Sequence, residues 1–275
     1  MRVAFQGEAG AYSEMAAVAL FGDDAEPVPC SSFETVFEVV EAGDCERGVV
    51  PIENSLAGSV YRNYDFLLRH DLYIVAEYNL RISHNLIAAP GVRLEDLQRV
   101  YSHPQALAQC ERSLADLPNV EIVPSYDTAG AVKIIRDGGF RDAAAIASRR
   151  AAELYEMDVL RADFEDIAGN YTRFVALSRE QIESHGESKT SLAFTGVNKP
   201  GLLFRSLSVF AQRDVDLTKI QSRPQKGKPW EYIFYLDFAG NLAEDRCARA
   251  IDHLREITTL LRVFGSYPRA TEEWS

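Results

Sequence analysis

The sequence predicts an α/β protein built in two successive parts, and three observations support this. Short apolar strands alternate with amphipathic helices up to about residue 178, which is typical of a mostly parallel sheet covered by helices. A polar stretch without apolar periodicity, 178–188, follows and is typical of a linker. After it the order of elements becomes β-α-β-β-α-β, the split βαβ or ferredoxin-like arrangement.

The elements of the first part are predicted from hydrophobic periodicity. Its strand candidates are Val3–Phe5, Arg47–Val50, Tyr73–Tyr78, Arg99–Ser102, Ala143–Ala147 and Thr172–Leu177. Its helix candidates are Ser13–Leu20, Ser32–Glu41, Tyr61–Leu68, Gln105–Leu117, Asp127–Arg136 and Ser148–Tyr155. The second helix begins with Ser31-Ser32-Phe33-Glu34, which predicts a capping box at its start.

In the second part, two helices are predicted from apolar residues that recur on one helix face. The first face carries Leu203, Leu207, Phe210 and Ala211, and the second carries Cys247, Ile251, Leu254 and Thr258. The strand candidates are Thr190–Val197, Val215–Ser222, Tyr232–Phe238 and Leu260–Tyr267.

The composition excludes some classes of protein. The chain has 275 residues with 29 Lys and Arg against 41 Asp and Glu, a net charge of −12, which argues against a nucleic-acid partner. There is no apolar run long enough to span a membrane and no signal-peptide pattern after Met1, so we expect a cytoplasmic protein. Because the four cysteines lack metal-ligand spacing, we expect free thiols in or near the core: Cys30, Cys45, Cys110 and Cys247.

Polar runs follow several predicted strands and open the next helix. They include Gln6–Glu14, Pro51–Ser59, Ser102–Ala106 and Tyr126–Gly130. Each polar residue there could be a plain N-cap. Together, at the carboxyl ends of strands, such helix starts also suit a cleft for an anionic ligand.

The segment Asn170-Tyr171-Thr172-Arg173-Phe174 is the strongest single candidate for a functional site. A polar and cationic triplet that enters a buried strand is costly unless its groups are paired. Arg173 could bind a ligand carboxylate through two parallel hydrogen bonds, or it could form an internal salt bridge. Glu53 and Asp127 could serve as acid and base, and both are also typical turn or cap residues.

Five of these stretches, in order along the chain, resemble the bacterial prephenate dehydratases. They are Gly10–Glu14, Pro51–Ser55, Ser102–Ala106, Asp127–Gly130 and Asn170–Phe174. The resemblance extends over essentially the whole chain, and the second part looks like an ACT regulatory domain.

The resemblance implies a catalytic domain over 1–180 that is similar to type 2 periplasmic binding proteins. Its first lobe would comprise about 1–78 and 160–180 and its second lobe about 79–159. A linker over 181–188 and an ACT domain over 189–275 would follow. The implied reaction converts prephenate to phenylpyruvate, CO2 and water, a lyase step of phenylalanine biosynthesis that needs neither a metal nor an organic cofactor. There are two alternatives: an arogenate dehydratase with the same fold, and a non-enzymatic amino-acid-sensing protein.

The resemblance also implies roles for individual residues. Thr172 carries over as the essential hydroxyl, assigned to the leaving group, and Arg173 is assigned to a substrate carboxylate. The substrate-binding candidates are Ser13, Asn54, Ser55, Gln105, Thr128 and Phe174. The family's phenylalanine site carries over, with departures from its pattern, to Asn198, Gly201, Leu202, Ser222, Arg223 and Pro224. A homodimer or homotetramer through the ACT domains is implied, with prephenate as substrate and phenylalanine as allosteric effector.

Overall fold

The computed structural model describes residues 1–225 and 227–270, and two compact units divide the chain. The first unit contains residues 1–63 and 78–174, and the second contains residues 64–77 together with the chain from residue 175 onward. These bounds differ from the predicted ones, because the segment 64–77 belongs with the later part of the chain.

Each predicted strand and helix has a counterpart within the described residues; the strands over 99–102 and 143–147 have the predicted ends, and the other elements differ at one end or both. The strands are β1 (Arg2–Gln6), β2 (Glu26–Cys30), β3 (Arg47–Asn54), β4 (Gly58–Ser59), β5 (Tyr73–Arg81), β6 (Asn85–Ala88), β7 (Arg99–Ser102), β8 (Glu121–Pro124), β9 (Ala143–Ala147), β10 (Asp158–Arg161), β11 (Tyr171–Ser178), β12 (Ser188–Thr195), β13 (Leu217–Pro224), β14 (Tyr232–Ala239) and β15 (Leu260–Pro268). The helices are α1 (Tyr12–Phe21), α2 (Phe33–Ala42), α3 (Tyr61–Arg69), α4 (Pro104–Gln109), α5 (Glu111–Ala115), α6 (Thr128–Gly138), α7 (Arg149–Leu154), α8 (Leu202–Ala211) and α9 (Asp245–Ile257).

Two sheets contain the strands before β12. The first has the order β2-β1-β3-β11-β5 with β4 beside β3, and β1 runs parallel to both of its neighbours. The second has the order β10-β6-β9-β7-β8. In it β7 is parallel to β8 and β9, while β6 is antiparallel to β9 and β10. The predicted parallel pairing therefore holds for strands that lead into helices, and antiparallel strands are added beside them.

Strand β9 shows how the second sheet is buried on both faces. Its five residues have no accessible surface. Because side chains alternate along a strand, Ala143 and Ala145 join one apolar core while Ala144 and Ile146 join another. An uninterrupted apolar strand is what a sheet covered on both sides requires.

The predicted helix over 105–117 is divided into α4 and α5 at Cys110. Cys110 has φ −120° and ψ 20°, outside the helical range. The new helix start is capped from a distant part of the chain, because the Asp166 carboxylate accepts hydrogen bonds from the backbone N–H groups of Arg112 (2.8 Å) and Ser113 (2.9 Å).

The start of α2 also differs from the prediction. Ser32 is the N-cap, and its Oγ accepts from the backbone N–H of Thr35 at 3.1 Å. Thr35 therefore occupies the third helical position, so the predicted capping box with Glu34 does not form.

The β-α-β-β-α-β order after the polar stretch is confirmed. Strands β12 to β15 form an antiparallel sheet of order β13-β14-β12-β15. Helices α8 and α9 pack together and contribute Phe210, Ile251 and Leu254 to one apolar core with the sheet. The segment 64–77 belongs to this unit through ion pairs and backbone contacts, including Lys189 Nζ to Glu77 Oε1 at 2.7 Å.

The predicted state of the cysteines is confirmed, since all four are buried free thiols. Among the described residues, no helix has the length and apolar character needed to cross a bilayer. No group of three His, Cys, Asp or Glu side chains within 1–225 and 227–270 is arranged to hold a metal ion.

Candidate functional site

A cavity of about 390 Å³ opens in the first unit where strands end and helices begin. Gln6 closes β1 and Asn54 closes β3, and both line the cavity. This is the edge at which open α/β sheets bind ligands. Six of the predicted catalytic and substrate-binding residues line it, namely Ser13, Asn54, Gln105, Thr128, Thr172 and Phe174.

Four helix starts contribute to the wall of this cavity. Ser13 lies in the first turn of α1, Ser32 caps α2, His103 caps α4 and Thr128 begins α6. The first N–H groups of a helix lack partners within it, and the helix dipole places partial positive charge there. The wall is therefore suited to an anionic ligand, as the polar runs in the sequence predicted.

Thr172 is held in the cavity by Asn54, which also bonds to Asn170. Asn54 Nδ2 donates to Thr172 Oγ1 at 2.9 Å and to Asn170 Oδ1 at 2.6 Å. The orientation of the Asn54 amide is fixed because its Oδ1 accepts from the backbone N–H groups of Leu56 (3.0 Å) and Ala57 (2.8 Å). The three polar side chains are all at least nine-tenths buried.

This geometry determines whether the Thr172 hydroxyl donates or accepts a hydrogen bond toward the cavity. An amide nitrogen carries hydrogens and cannot accept a proton, so Thr172 Oγ1 must be the acceptor in its contact with Asn54. Thr172 makes no other side-chain hydrogen bond with the described residues. Its hydroxyl proton is therefore available to a ligand, and the bond from Asn54 polarises the group as a donor.

A second hydrogen-bonded group, which the sequence analysis missed, continues from this cluster. Asn170 Nδ2 donates to Gln109 Oε1 at 3.1 Å, and His84 Nε2 lies 2.8 Å from the same oxygen. Because Gln109 Oε1 is an acceptor, the proton of a neutral His84 is on Nε2. The Tyr12 hydroxyl donates to the carbonyl of Ser83 at 2.7 Å, and its oxygen lies 3.0 Å from His84 Nδ1.

Burial governs the protonation of this group. Burial raises the pKa of the Tyr12 hydroxyl, and the Glu165 charge adds to this effect. Burial lowers the pKa of His84, against the opposing effects of the Gln109 hydrogen bond and the Glu165 charge. Both side chains are therefore neutral near pH 7.

The sequence contains one indication that Gln109 belongs to this site. Gln109 follows Gln105 by four residues, a spacing that places both on one side of a helical segment.

His103 and Asp127 line the cavity, and backbone contacts occupy both. His103 Nδ1 accepts from the N–H of Gln105 at 3.2 Å. The Asp127 carboxylate accepts from the N–H groups of Gly130 (2.7 Å) and Glu8 (2.8 Å). Burial lowers the pKa of His103 and raises that of Asp127. The capping interpretation of these residues is confirmed, and their position also gives them access to a ligand.

Two predicted site residues do not line the cavity. Strand alternation places Thr172 and Phe174 on one face of β11 and Arg173 between them on the other. Ser55 instead contacts β11, because its Oγ accepts from the N–H of Tyr171 at 2.9 Å and its own N–H donates to the carbonyl of Tyr171 at 2.8 Å.

A second cavity, of about 300 Å³, lies at the start of α8 in the second unit. Of the predicted effector residues, it is lined by Asn198, Gly201 and Leu202. The other three, Ser222, Arg223 and Pro224, form the end of β13 and do not line it. Arg223 instead forms an ion pair with Asp65, with Nη1 2.5 Å from Oδ1.

The fold and site define an α/β protein with a cavity suited to a small anion. The family model described as "Prephenate dehydratase" matches residues 3–182, and the chain belongs to that family. "Arogenate dehydratase/prephenate dehydratase 2, chloroplastic" from Arabidopsis thaliana is 48% identical over 279 residues, which cover 98% of this chain and 73% of the relative.

Two solved structures are similar over nearly the whole chain. The prephenate dehydratase from Arthrobacter aurescens in complex with L-Phe is 34% identical, with a TM-score of 0.89 over 98% of this chain and 90% of that one. A protein described as "GqqA- a novel type of quorum quenching acylases" is 33% identical, with a TM-score of 0.88 and 99% of both chains covered. The α/β fold is thus that of prephenate dehydratase structures.

The expectation of a cytoplasmic protein is wrong by these comparisons, because relatives from Arabidopsis thaliana are named chloroplastic. The plant relative also shares more identical residues with this chain than the Arthrobacter enzyme does, 48% against 34%, although the resemblance in the sequence suggested a bacterial enzyme.

Proposed function

We propose that this chain is a dehydratase that converts prephenate to phenylpyruvate, CO2 and water. The observation that carries the proposal is the Thr172 hydroxyl, which lines the cavity with its oxygen already accepting from Asn54. Membership of the prephenate dehydratase family supports the reaction type.

The reaction needs a hydrogen-bond donor more than it needs a strong base. The ring carboxylate leaves as CO2, and its electron pair moves into the ring as the ring hydroxyl departs from the opposite carbon. One proton converts that hydroxyl to water, and the ring becomes aromatic. Thr172 donates to the departing oxygen, which lowers the barrier to its loss. The helix starts around the cavity supply the positive field in which two carboxylates bind.

The role of Arg173 is revised within this proposal. Its position on the other face of β11 does not favour the carboxylate contact that the sequence suggested. Thr172 is therefore the catalytic residue. Ser13, Gln105 and Thr128 are proposed substrate contacts at helix starts, and Phe174 is proposed to pack against the ring.

Arogenate, which carries an ammonium group where prephenate has a ketone, is the alternative substrate. The name of the Arabidopsis thaliana relative gives both activities for that protein. Acyl transfer, which the description of the GqqA protein suggests, is less well supported. The Thr172 oxygen contacts an amide N–H, which cannot take the proton of an attacking hydroxyl as a base would.

The test uses the purified protein with prephenate and with arogenate in separate reactions, assayed for phenylpyruvate and phenylalanine. We expect turnover by the unmodified protein and a loss of about 10²–10⁴ in kcat for Thr172→Val, with a smaller loss for Thr172→Ser. Circular dichroism checks folding. A folded Thr172→Val variant within about tenfold of the unmodified kcat contradicts the assignment of Thr172. No turnover of either substrate supports the amino-acid sensor instead.

We further propose that residues 189–275 are an ACT domain that binds phenylalanine as an inhibitor and pairs with a second copy in a homodimer or homotetramer. The β-α-β-β-α-β order supports the domain type, and the Arthrobacter aurescens complex with L-Phe supports the ligand. Gly201, at φ 83° before α8, lines the second cavity. Calorimetric titration of phenylalanine tests this: Gly201→Val should lose binding, and equal binding by both proteins removes Gly201 from the site.

A further inference from the structure

Arg62 is the one Arg or Lys among the described residues that line the 390 Å³ cavity. It is the second residue of α3, and its side chain is exposed. It forms no hydrogen bond or ion pair with any other residue in 1–225 and 227–270. Some other cations of the first unit have partners, as Arg99 pairs with Asp142 at 2.7 Å and Lys133 with Glu8 at 2.9 Å.

The described residues in the wall of the cavity do not supply a free counter-charge for Arg62. The first turn of a helix is where the dipole disfavours a cation, so the position does not stabilise the folded chain. Asp127 is the one acidic residue among the described cavity-lining residues, and both of its oxygens already accept backbone hydrogen bonds. An unpaired guanidinium in a cavity of this kind is suited to a carboxylate, which its planar fork can bind through two N–H groups.

We propose that Arg62 binds the side-chain carboxylate of the substrate, the one that survives the reaction. This inference rests on the proposed dehydratase function. The ring carboxylate loses its charge in the transition state as CO2 forms, so a cation bound to it would stabilise the substrate more than the transition state. The side-chain carboxylate keeps its charge from substrate to product, so an ion pair with it does not oppose the chemistry.

The proposal predicts a particular kinetic pattern. An interaction that is equally strong in the bound substrate and in the transition state affects KM and leaves kcat unchanged. It should also be present with phenylpyruvate, which retains the side-chain carboxylate and has lost the other. Arg62 would then contribute to product affinity by the same factor as to substrate affinity.

The experiment compares Arg62→Gln, Arg62→Lys and a matched control, Arg150→Gln. Arg150 is likewise the second residue of its helix, α7, and is exposed, but it does not line the cavity. For Arg62→Gln we expect KM for the converted substrate to rise about 10–100-fold, with kcat within about threefold of the unmodified protein. The inhibition constant of phenylpyruvate should rise by a similar factor. Arg62→Lys should be intermediate, and Arg150→Gln should be unchanged.

Each outcome decides the proposal. An unchanged KM in a folded Arg62→Gln variant overturns it, and so does a loss confined to kcat. A raised KM with unchanged phenylpyruvate inhibition assigns Arg62 to the ring carboxylate and overturns it as stated. If the unmodified protein converts neither prephenate nor arogenate, the proposed function fails. Calorimetric binding of phenylpyruvate to the unmodified protein and to Arg62→Gln then decides the role of Arg62 separately, with equal or absent binding overturning it.

Discussion

At the scale of single residues, one amide determines what the catalytic candidate can do. The Thr172 hydroxyl is a donor toward the cavity because Asn54 Nδ2 occupies its acceptor side. The motifs in the sequence identified both residues, but they could not show the direction of the hydrogen bond between them. The polarity depends on two backbone N–H groups, at Leu56 and Ala57, that fix the Asn54 amide.

Replacement of Asn54 by Asp should abolish turnover while Thr172 is intact. The Asp side chain has nearly the same shape, but it presents an oxygen where Nδ2 donated to Thr172. The Thr172 hydroxyl would then donate to that carboxylate and no longer to the substrate. We expect kcat to fall by about 10²–10⁴, as for Thr172→Val. Steady-state kinetics of a variant with unchanged circular dichroism checks this, and a kcat within about tenfold of the unmodified value contradicts the polarity argument.

Two residues that the motifs assigned to the site, Arg173 and Ser55, do not line the cavity. Arg173 and Ser55 stand beside cavity-lining residues in the chain, but a strand turns successive side chains to opposite faces, and Ser55 bonds to the β11 backbone. Arg62, by contrast, had no motif to mark it. The sequence predicts the helix that contains it, but only the folded chain shows that the start of this helix lies at the cavity.

At the scale of elements, most apolar strands and the capped helices could be predicted, and several short strands could not. β2 and β8 contain proline, which the ladder normally excludes, and β6 and β10 have four residues each. The break between α4 and α5 was also beyond local reasoning, because the cap at α5 comes from Asp166, more than fifty residues away.

Gly10, just before α1, is a position where an element start depends on a missing side chain. It has φ 89°, and a Cβ there would lie 2.8 Å from the Cα of Ala151 in α7. The carbonyl of Gly10 also accepts from Ser148 Oγ at 2.7 Å, so the backbone has little freedom to move. Gly10→Ala should therefore destabilise the fold by about 2–4 kcal/mol, from backbone strain together with the clash.

The matched control is Gly139→Ala, at the end of α6. Gly139 has φ 60°, and a Cβ there would meet nothing within 4 Å, so only the backbone strain applies. We expect a cost of about 1 kcal/mol for this variant. Chemical denaturation measures both, and equal losses in the two variants would contradict a steric role for the approach of Gly10 to α7.

At the scale of the whole molecule, the buried His84 and the half-buried His103 make stability depend on pH. Burial lowers the pKa of His84 and of His103 below the value of about 6.5 that a histidine has in the unfolded chain. As the pH falls below 6.5, the unfolded chain binds protons that the folded chain does not. The stability from these residues is complete above the unfolded pKa and is lost as the pH falls through the folded pKa.

The variant His84→Gln should therefore lose less stability on acidification. We expect the fall in the free energy of unfolding between about pH 7.5 and about pH 5.5 to be smaller than for the unmodified protein. His185→Gln, an exposed position in the polar stretch, is the control and should keep the full fall. Urea titrations at the two pH values provide the comparison, and identical pH dependence in all three proteins would show that His84 does not limit acid stability.

The polar stretch after β11 predicts a domain boundary, yet the second unit also includes an earlier segment of the chain. Residues 64–77 are tied to it by the Lys189–Glu77 ion pair and by the Tyr64 ring, whose centroid is 4.7 Å from that of Tyr235. Arg262 adds a hydrogen bond from Nη2 to the carbonyl of His70 at 2.5 Å. Contacts over such separations in the chain leave no mark in local periodicity, which is why the sequence could not place this boundary.

A fragment that ends at residue 180 should consequently fail to fold stably, although it includes the whole of the first unit. It would keep the segment 64–77 without Lys189, Arg262 and Tyr235, so the apolar groups that they cover would face water and favour aggregation. The full chain with a protease site inserted at Gly186, where a Cβ would meet nothing within 4 Å, is the control. After cleavage its two pieces should elute together and retain a cooperative thermal transition, because the non-covalent contacts persist. A soluble 1–180 fragment with its own cooperative transition would instead show that the first unit does not depend on where the segment 64–77 packs.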